Sequence, residues 1–337
     1  MNLLLWLTVC VGAVICAALS AWFVIARHFL MELTRPGVTL SADGPFWREW
    51  GFPQGEAEPP PTLQRSVQFA APGGPLLQGD FWAQPSPAPT VILSHGFHVP
   101  RIHLRSVAAL EYRFGCNVLL FDYRGHGDSA SVPTSGGNAE VADLTAAIDL
   151  VMQQPETIAG KIFIHGFSMG AAVALLLPTR DEIGGIIADS AYARLDVVLH
   201  QMIAQHLEQL TQRWHRPWRM IHTVFPLLAH LILIGGRSLF RWRFHQALIA
   251  RPVVSIQRLQ ARLNHLSSVN TIPLLLIHAR HDPFVGLEHA HQIAAAAERS
   301  KVPVNTYFVD SAIHCGAFGY NPNHYMKLLR HFIGLAV

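Results

Sequence analysis

From about residue 90 the chain alternates short uninterrupted apolar runs with longer stretches of helical period. Residues 90–94, 117–121, 161–165, 184–188, 273–278 and 304–309 are runs too short for helices and apolar on both alternating positions, which predicts strands buried on both faces. Residues 101–114, 139–153, 169–177, 252–263, 286–299 and 322–335 carry the helical spacing between them. Strands alternating with helices predict a mostly parallel sheet with helices on both faces, and polar chemistry at the carboxyl ends of its strands. Ahead of this region, 65–70 and 76–83 flank the turn signal Pro72, Gly73, Gly74, Pro75 and predict a β-hairpin.

Two segments break the rhythm. Between the runs ending at Ala188 and beginning at Pro273 lie more than eighty residues, far beyond what one crossover needs, so a helical cap inserted at about 194–250 is expected. Residues 194–270 hold ten arginines and no lysine against Asp196 and Glu208, a net of +8 where the whole chain is +3. Trp214, Trp218, Phe225, Phe240, Trp242 and Phe244 are interleaved with them, and residues 225–234 form an apolar run. That mixture suits contact with anionic headgroups, and suits equally a helical lid with solvated arginines.

The other exception is the amino-terminal end. Residues 3–26 carry no charge over 24 positions, ~36 Å as a helix against a hydrocarbon core of ~30 Å. A single-pass transmembrane anchor over 1–30 is expected. A cleaved signal peptide is the competing reading, since Ala18 and Ser20 are small residues at plausible cleavage positions, although no Lys or Arg precedes the apolar run. Arg27 and Arg35 after the span place the rest of the chain on the cytoplasmic side by the positive-inside tendency. Residues 31–64, with Pro36, Pro45, Pro53 and the run Pro59, Pro60, Pro61, read as a linker, leaving 65–337 as the main domain with its cap.

Composition adds less. Half the residues are hydrophobic and only 14% charged, an apolar surplus that the anchor absorbs. Of four cysteines, Cys10 and Cys16 lie in the apolar segment, so Cys116 and Cys315 make no disulfide framework. No Lys/Arg-rich run of the kind that binds nucleic acid occurs.

The chemistry gathers around Gly166, Phe167, Ser168, Met169, Gly170, which follows a predicted strand and opens a predicted helix. A sharp strand-to-helix turn exposes a serine hydroxyl, and glycines two residues to either side remove the side chains that would collide there. A serine hydroxyl is a weak nucleophile at neutral pH and requires a base, and the base a carboxylate to fix its tautomer. Among twenty histidines, His314 lies directly after the last predicted strand, and Asp282 lies just past the penultimate one, 32 residues earlier. Asp189, after an earlier strand, is the alternative acid. The expected roles are Ser168 as nucleophile, His314 as general base and Asp282 as its orienting acid. Neither His95 and His98 nor any other pair has metal-site spacing, so no metal or organic cofactor is expected.

Taken together, residues 65–337 resemble the α/β-hydrolase superfamily, which uses the order Ser, Asp, His. His95, Gly96, Phe97 look like the oxyanion loop of that superfamily, and the resemblance implies that the backbone N–H groups of Phe97 and Met169 bind the oxyanion. Residues 121–129, Phe-Asp-Tyr-Arg-Gly-His-Gly-Asp-Ser, look like its largely structural strand-and-loop segment. The segment Arg251, Pro252, Val253, Val254, Ser255, Ile256, with Ile272 and Pro273 before the acid strand, resembles the membrane-tethered Bem46-like and serine aminopeptidase-like groups. This chain departs from them in carrying His165, Gly166, Phe167 where Gly-His is more frequent before the serine, and in its longer Arg-rich cap. The resemblance implies a cofactor-independent serine hydrolase acting on a small or lipid-like carboxylic ester or thioester. A serine aminopeptidase and a non-catalytic scaffold of the same fold are the alternatives.

Overall fold

The computed structural model describes residues 3–35, 64–212, 223–248, 250–256 and 271–335. Of the expected linker at 31–64, residues 31–34 instead continue the amino-terminal helix, since the first helix breaker is Pro36, and Gln64 opens a strand; residues 36–63 and much of the expected helix at 252–263 lie outside the described residues. The chain divides into two compact units, residues 1–34 with 196–248, and residues 35–195 with 249–337.

The larger unit is built on one eight-stranded sheet of order β1-β2-β4-β3-β5-β6-β7-β8. Its strands are β1 (Gln64–Phe69), β2 (Leu77–Trp82), β3 (Ala88–Ser94), β4 (Asn117–Phe121), β5 (Thr157–Phe167), β6 (Ile183–Asp189), β7 (Leu274–Ala279) and β8 (Val304–Val309). β1 and β2 form the expected antiparallel hairpin and β2 pairs antiparallel with β4; from β4 to β8 every pairing is parallel. The interior strands β3 and β4 are buried throughout, which is why they read as unbroken apolar runs. Alternate residues serve opposite faces. Val91, Leu93, Val118, Leu120, Phe163 and Ile277 pack with Val107, Ala108, Tyr325 and Leu329, from helices α2 (Arg105–Arg113) and α9 (Pro322–Ile333). Ile92, Leu119 and Ile164 point the other way and are fully buried too. Helices α3 (Glu140–Met152), α4 (Met169–Leu176) and α7 (Leu287–Arg299) complete the cover, and a short α8 (Ala317–Tyr320), not foreseen in the sequence, precedes α9.

The smaller unit joins the amino-terminal helix α1 (Leu3–Thr34) to the cap helices α5 (Leu195–Gln212) and α6 (Phe225–Phe244). Among the described residues α1 alone is long and apolar enough to cross a membrane, over Cys10–Met31. Its exposure changes along its length. Every side chain described from Trp6 to Ala21 is exposed, whereas Ala26, Leu30 and Thr34, spaced four apart on one face, are buried. That buried face meets α6. The Trp22 indole N–H donates to the Leu231 carbonyl at 3.0 Å, and a Cβ added to Gly235 would lie 2.6 Å from the Trp22 ring and 2.9 Å from Ala26 Cβ. Gly235 therefore lets two helices approach more closely than any side chain would permit.

Candidate active site

Three strand ends supply the residues singled out above. β5 runs into Ser168, which caps α4 with φ 50° and ψ −110°, a left-handed conformation that favours glycine and that a serine occupies at a cost of about 1–3 kcal/mol. Its neighbours explain why the turn is possible. A Cβ on Gly170 would lie 2.0 Å from the Ser94 carbonyl oxygen, and one on Gly166 would lie 2.5 Å from the Ala171 backbone nitrogen. The Ser168 N–H donates to the Asp189 carbonyl at 2.9 Å, tying the elbow to the end of β6. Ser168 stands at the amino end of α4, where the helix dipole favours negative charge.

Asp282 and His314 lie in the loops after β7 and β8, and the structure brings them together. His314 Nδ1 is 2.6 Å from Asp282 Oδ2. The other carboxylate oxygen, Oδ1, accepts the backbone N–H groups of Phe284 and Val285, each at 2.9 Å, so both orientations of the carboxylate are not equivalent. Burial pushes the Asp282 carboxyl upward, but the His314 ring and those two N–H groups outweigh it and hold it below the usual carboxylate range. For His314, burial opposes the imidazolium, while Cys315 and Asp282 favour it and the net shift is upward. Burial also raises the Cys315 thiol and keeps it neutral, which leaves the Asp282 carboxylate as the charged neighbour that favours the cation. Phe284 stacks edge-on against the His314 ring at 5.7 Å.

The loop after β3 lies beside the elbow: a Cβ on Gly96 would lie 3.5 Å from both Ser168 Cβ and the Phe167 carbonyl oxygen. Phe97 follows Gly96, and Met169 is the first residue of α4. Two buried histidines hold this loop, a role that the sequence did not disclose. His95 Nδ1 is 2.8 Å from the Gly96 carbonyl and its Nε2 accepts the Tyr123 N–H at 2.9 Å. His126 Nδ1 is 2.9 Å from the Arg124 carbonyl and its Nε2 accepts the His98 N–H at 3.4 Å. A ring nitrogen facing a carbonyl must carry the proton and one facing an N–H must not, so both rings are neutral Nδ1–H tautomers. Burial lowers His95 to about 4 and His126 to about 3, in keeping with that assignment. The structural segment expected at 121–129 is pinned by charge. Arg101 pairs with Asp80, Asp122 and Asp128, and Arg124 grips the fully buried Asp143 through Nε at 2.8 Å and Nη2 at 2.6 Å.

Asp189, the alternative acid, is buried at the end of β6 with its oxygens facing the Ser190 hydroxyl and the Tyr325 hydroxyl, each at 3.0 Å. His314 Nδ1 is on Asp282 instead. Among the described residues no group of three or more His, Cys, Asp or Glu could hold a metal ion.

Comparison with known proteins bears on the fold and the family. The family model for serine aminopeptidase S33, Hydrolase_4, matches residues 85–315, more than half of the chain. The Bacillus subtilis (strain 168) protein YqkD is 27% identical over 251 residues, covering 72% of this chain and 70% of its own. Protein bem46 of Schizosaccharomyces pombe is 26% identical over 159 residues, covering 43% of this chain and 52% of its own. Among solved structures, the Pyrococcus furiosus esterase Pf2001 superposes with a TM-score of 0.58 at 25% identity, covering 84% of this chain and 96% of its own. A mostly parallel eight-stranded sheet, a strained serine at a strand-to-helix elbow and this family match lead to one conclusion: the chain belongs to the Hydrolase_4 (serine aminopeptidase S33) family of α/β-hydrolases and is similar to the Bem46-like hydrolases.

Proposed function

We propose that the protein is a serine hydrolase that cleaves carboxylic esters or thioesters through an acyl-enzyme. The observation that carries this reading is the 2.6 Å contact between His314 Nδ1 and Asp282 Oδ2, in loops at the same sheet edge as the strained Ser168 elbow. In this reading Asp282 holds the Nδ1–H tautomer, leaving Nε2 as the base. Ser168 Oγ attacks the acyl carbonyl carbon as its proton passes to His314 Nε2, and the carbonyl π electrons move onto oxygen. The N–H groups of Phe97 and Met169 bind that oxyanion; one such donor is typically worth about 3 kcal/mol in the transition state. Collapse expels the alcohol or thiol, which takes the proton from His314. Water then repeats the sequence on the acyl-enzyme and regenerates Ser168. None of these steps calls on a metal or organic cofactor.

The esterase among the structural neighbours supports the ester reading. The family description supports a second one, cleavage of an amino-terminal peptide bond by the same three residues. Helix α1, whose described side chains from Trp6 to Ala21 are exposed, supports a single-pass anchor, Arg27 and Arg35 support a cytoplasmic side for the hydrolase unit, and the arginine- and tryptophan-rich cap supports lipid-like substrates. Purified full-length protein offered p-nitrophenyl esters of increasing chain length, acyl-CoA thioesters and aminoacyl p-nitroanilides tests the reading. Ester or thioester turnover at least tenfold above anilide turnover, abolished in Ser168→Ala, is expected. Anilide turnover in excess establishes the aminopeptidase, and none at all leaves a scaffold.

A further inference from the structure

Ser190 follows β6 with φ 56°, a left-handed backbone that favours glycine, and it is wholly buried. A buried serine in a glycine conformation directs attention to its hydroxyl. That hydroxyl donates to Asp189 Oδ1 at 3.0 Å and accepts the backbone N–H of Cys315 at 3.0 Å. Cys315 directly follows His314 and is also left-handed, at φ 56°. The backbone of the same dipeptide reaches the other two segments. The Asp189 carbonyl accepts the Ser168 N–H at 2.9 Å, and the Ser190 N–H donates to the Ile277 carbonyl in β7, the strand leading to Asp282, also at 2.9 Å. Two consecutive residues thus hydrogen-bond to the nucleophile elbow, the acid strand and the histidine loop.

The carboxylate beneath them is held in turn. The Tyr325 hydroxyl gives its single proton to Asp189 Oδ2 at 3.0 Å, so its oxygen can only accept from His165 Nε2, also 3.0 Å away. His165 Nδ1 lies 2.7 Å from Glu111 Oε1. Glu111, His165, Asp189, Ser190 and Tyr325 are all buried, and the hydroxyls of Ser190 and Tyr325 donate to the two oxygens of Asp189, one to each. The chain from α2 and α9 through Asp189 ends on the Ser190 hydroxyl, which accepts the Cys315 N–H of the histidine loop.

Resting on the assignment of Ser168 and His314 made above, we propose that Ser190 is a positioning residue: anchored on Asp189, its hydroxyl holds the Cys315 N–H and so fixes where His314 sits relative to Ser168. Ser190→Ala and Ser190→Gly separate this role from a purely structural one. Both remove the hydroxyl, but glycine suits the left-handed backbone and relieves its strain. With full-length protein and p-nitrophenyl acetate, kcat is expected to fall about 10- to 100-fold in both, the scale of a misplacement of about 1 Å, with KM within about threefold of wild type. Proton NMR of the His314 Nδ1–H, far downfield through its short bond to Asp282, reports the same geometry without turnover. Broadening of this signal by solvent exchange in Ser190→Gly is expected. Turnover within about twofold of wild type in Ser190→Gly overturns the proposal. If wild type itself shows no turnover, the assignment of Ser168 fails, and the resonance still decides: an unchanged signal in Ser190→Gly overturns the positioning role and a broadened one supports it.

Discussion

Asp282→Asn is the substitution whose outcome follows most directly from the geometry. An asparagine side chain has one oxygen and one NH2, and the surroundings dictate which goes where. Phe284 and Val285 present two N–H donors at 2.9 Å to Oδ1, so the amide oxygen must remain there and the NH2 must take the place of Oδ2, 2.6 Å from His314 Nδ1. An N–H facing Nδ1 requires that nitrogen to be unprotonated, which puts the ring proton on Nε2, where a base needs a lone pair. The variant therefore folds with the wrong histidine tautomer, and a loss of about 10⁴ in kcat is expected, about 5 kcal/mol of transition-state stabilisation. Stability should fall far less, by about 1.5–3 kcal/mol for the lost charged hydrogen bond, because each polar atom keeps a partner. The pH profile supplies a sign as well. The carboxylate raises the His314 pKa, so the acidic limb of kcat/KM in wild type reflects an imidazolium that must lose its proton as pH rises. Without the carboxylate that limb moves to lower pH while the plateau drops. Steady-state ester hydrolysis from pH 4 to 9, with thermal unfolding as control, measures both. A folded Asp282→Asn protein retaining more than about a tenth of wild-type kcat would refute the orienting role.

Other outcomes follow from the packing. Arg124→Ala leaves the fully buried Asp143 without its bidentate partner, and a loss of about 3–5 kcal/mol is expected in chemical denaturation, while Arg124→Ala combined with Asp143→Ala should recover part of it. Gly235→Leu would drive a side chain into Trp22 and Ala26; the thermal unfolding midpoint is expected to fall by several degrees, and an unchanged midpoint would contradict the close helix approach. Asp282 is held below the usual carboxylate range, so its contribution to stability is present above the unfolded-state value and is lost as pH falls through the lower folded-state one; Asp282→Asn should flatten that part of the acid-denaturation curve.

What the chain discloses before folding depends on the range of the interactions. Strands such as residues 117–121 could be delimited to the residue because burial on both faces leaves an unbroken apolar run. β5 extends to Phe167, past the apolar run, because Gly166 and Phe167 continue the ladder with Ala188 and Asp189; backbone pairing leaves no side-chain signature. The pair Asp282 and His314 was accessible from position alone, each following a strand on one sheet edge. The cluster of Glu111, His165 and Tyr325 was not, since its members lie 54 and 160 positions apart and each has an ordinary local setting. Helix α6 was half visible. Its apolar run ends at Ile234, where Gly235 and Gly236 look like a break, yet the helix continues through them to Phe244 because the close approach of α1 favours glycine there.

The proposed hydrolysis requires Ser168 to be an activated nucleophile. Intact-mass analysis of full-length protein treated with a fluorophosphonate, in wild type, Ser168→Ala and His314→Ala, measures it directly. One phosphonyl adduct per chain is expected in wild type, mapped to the peptide bearing Ser168, with none in Ser168→Ala and a rate at least about 100-fold lower in His314→Ala. A folded wild-type protein that takes up no adduct, or one that labels equally well without Ser168, would contradict it.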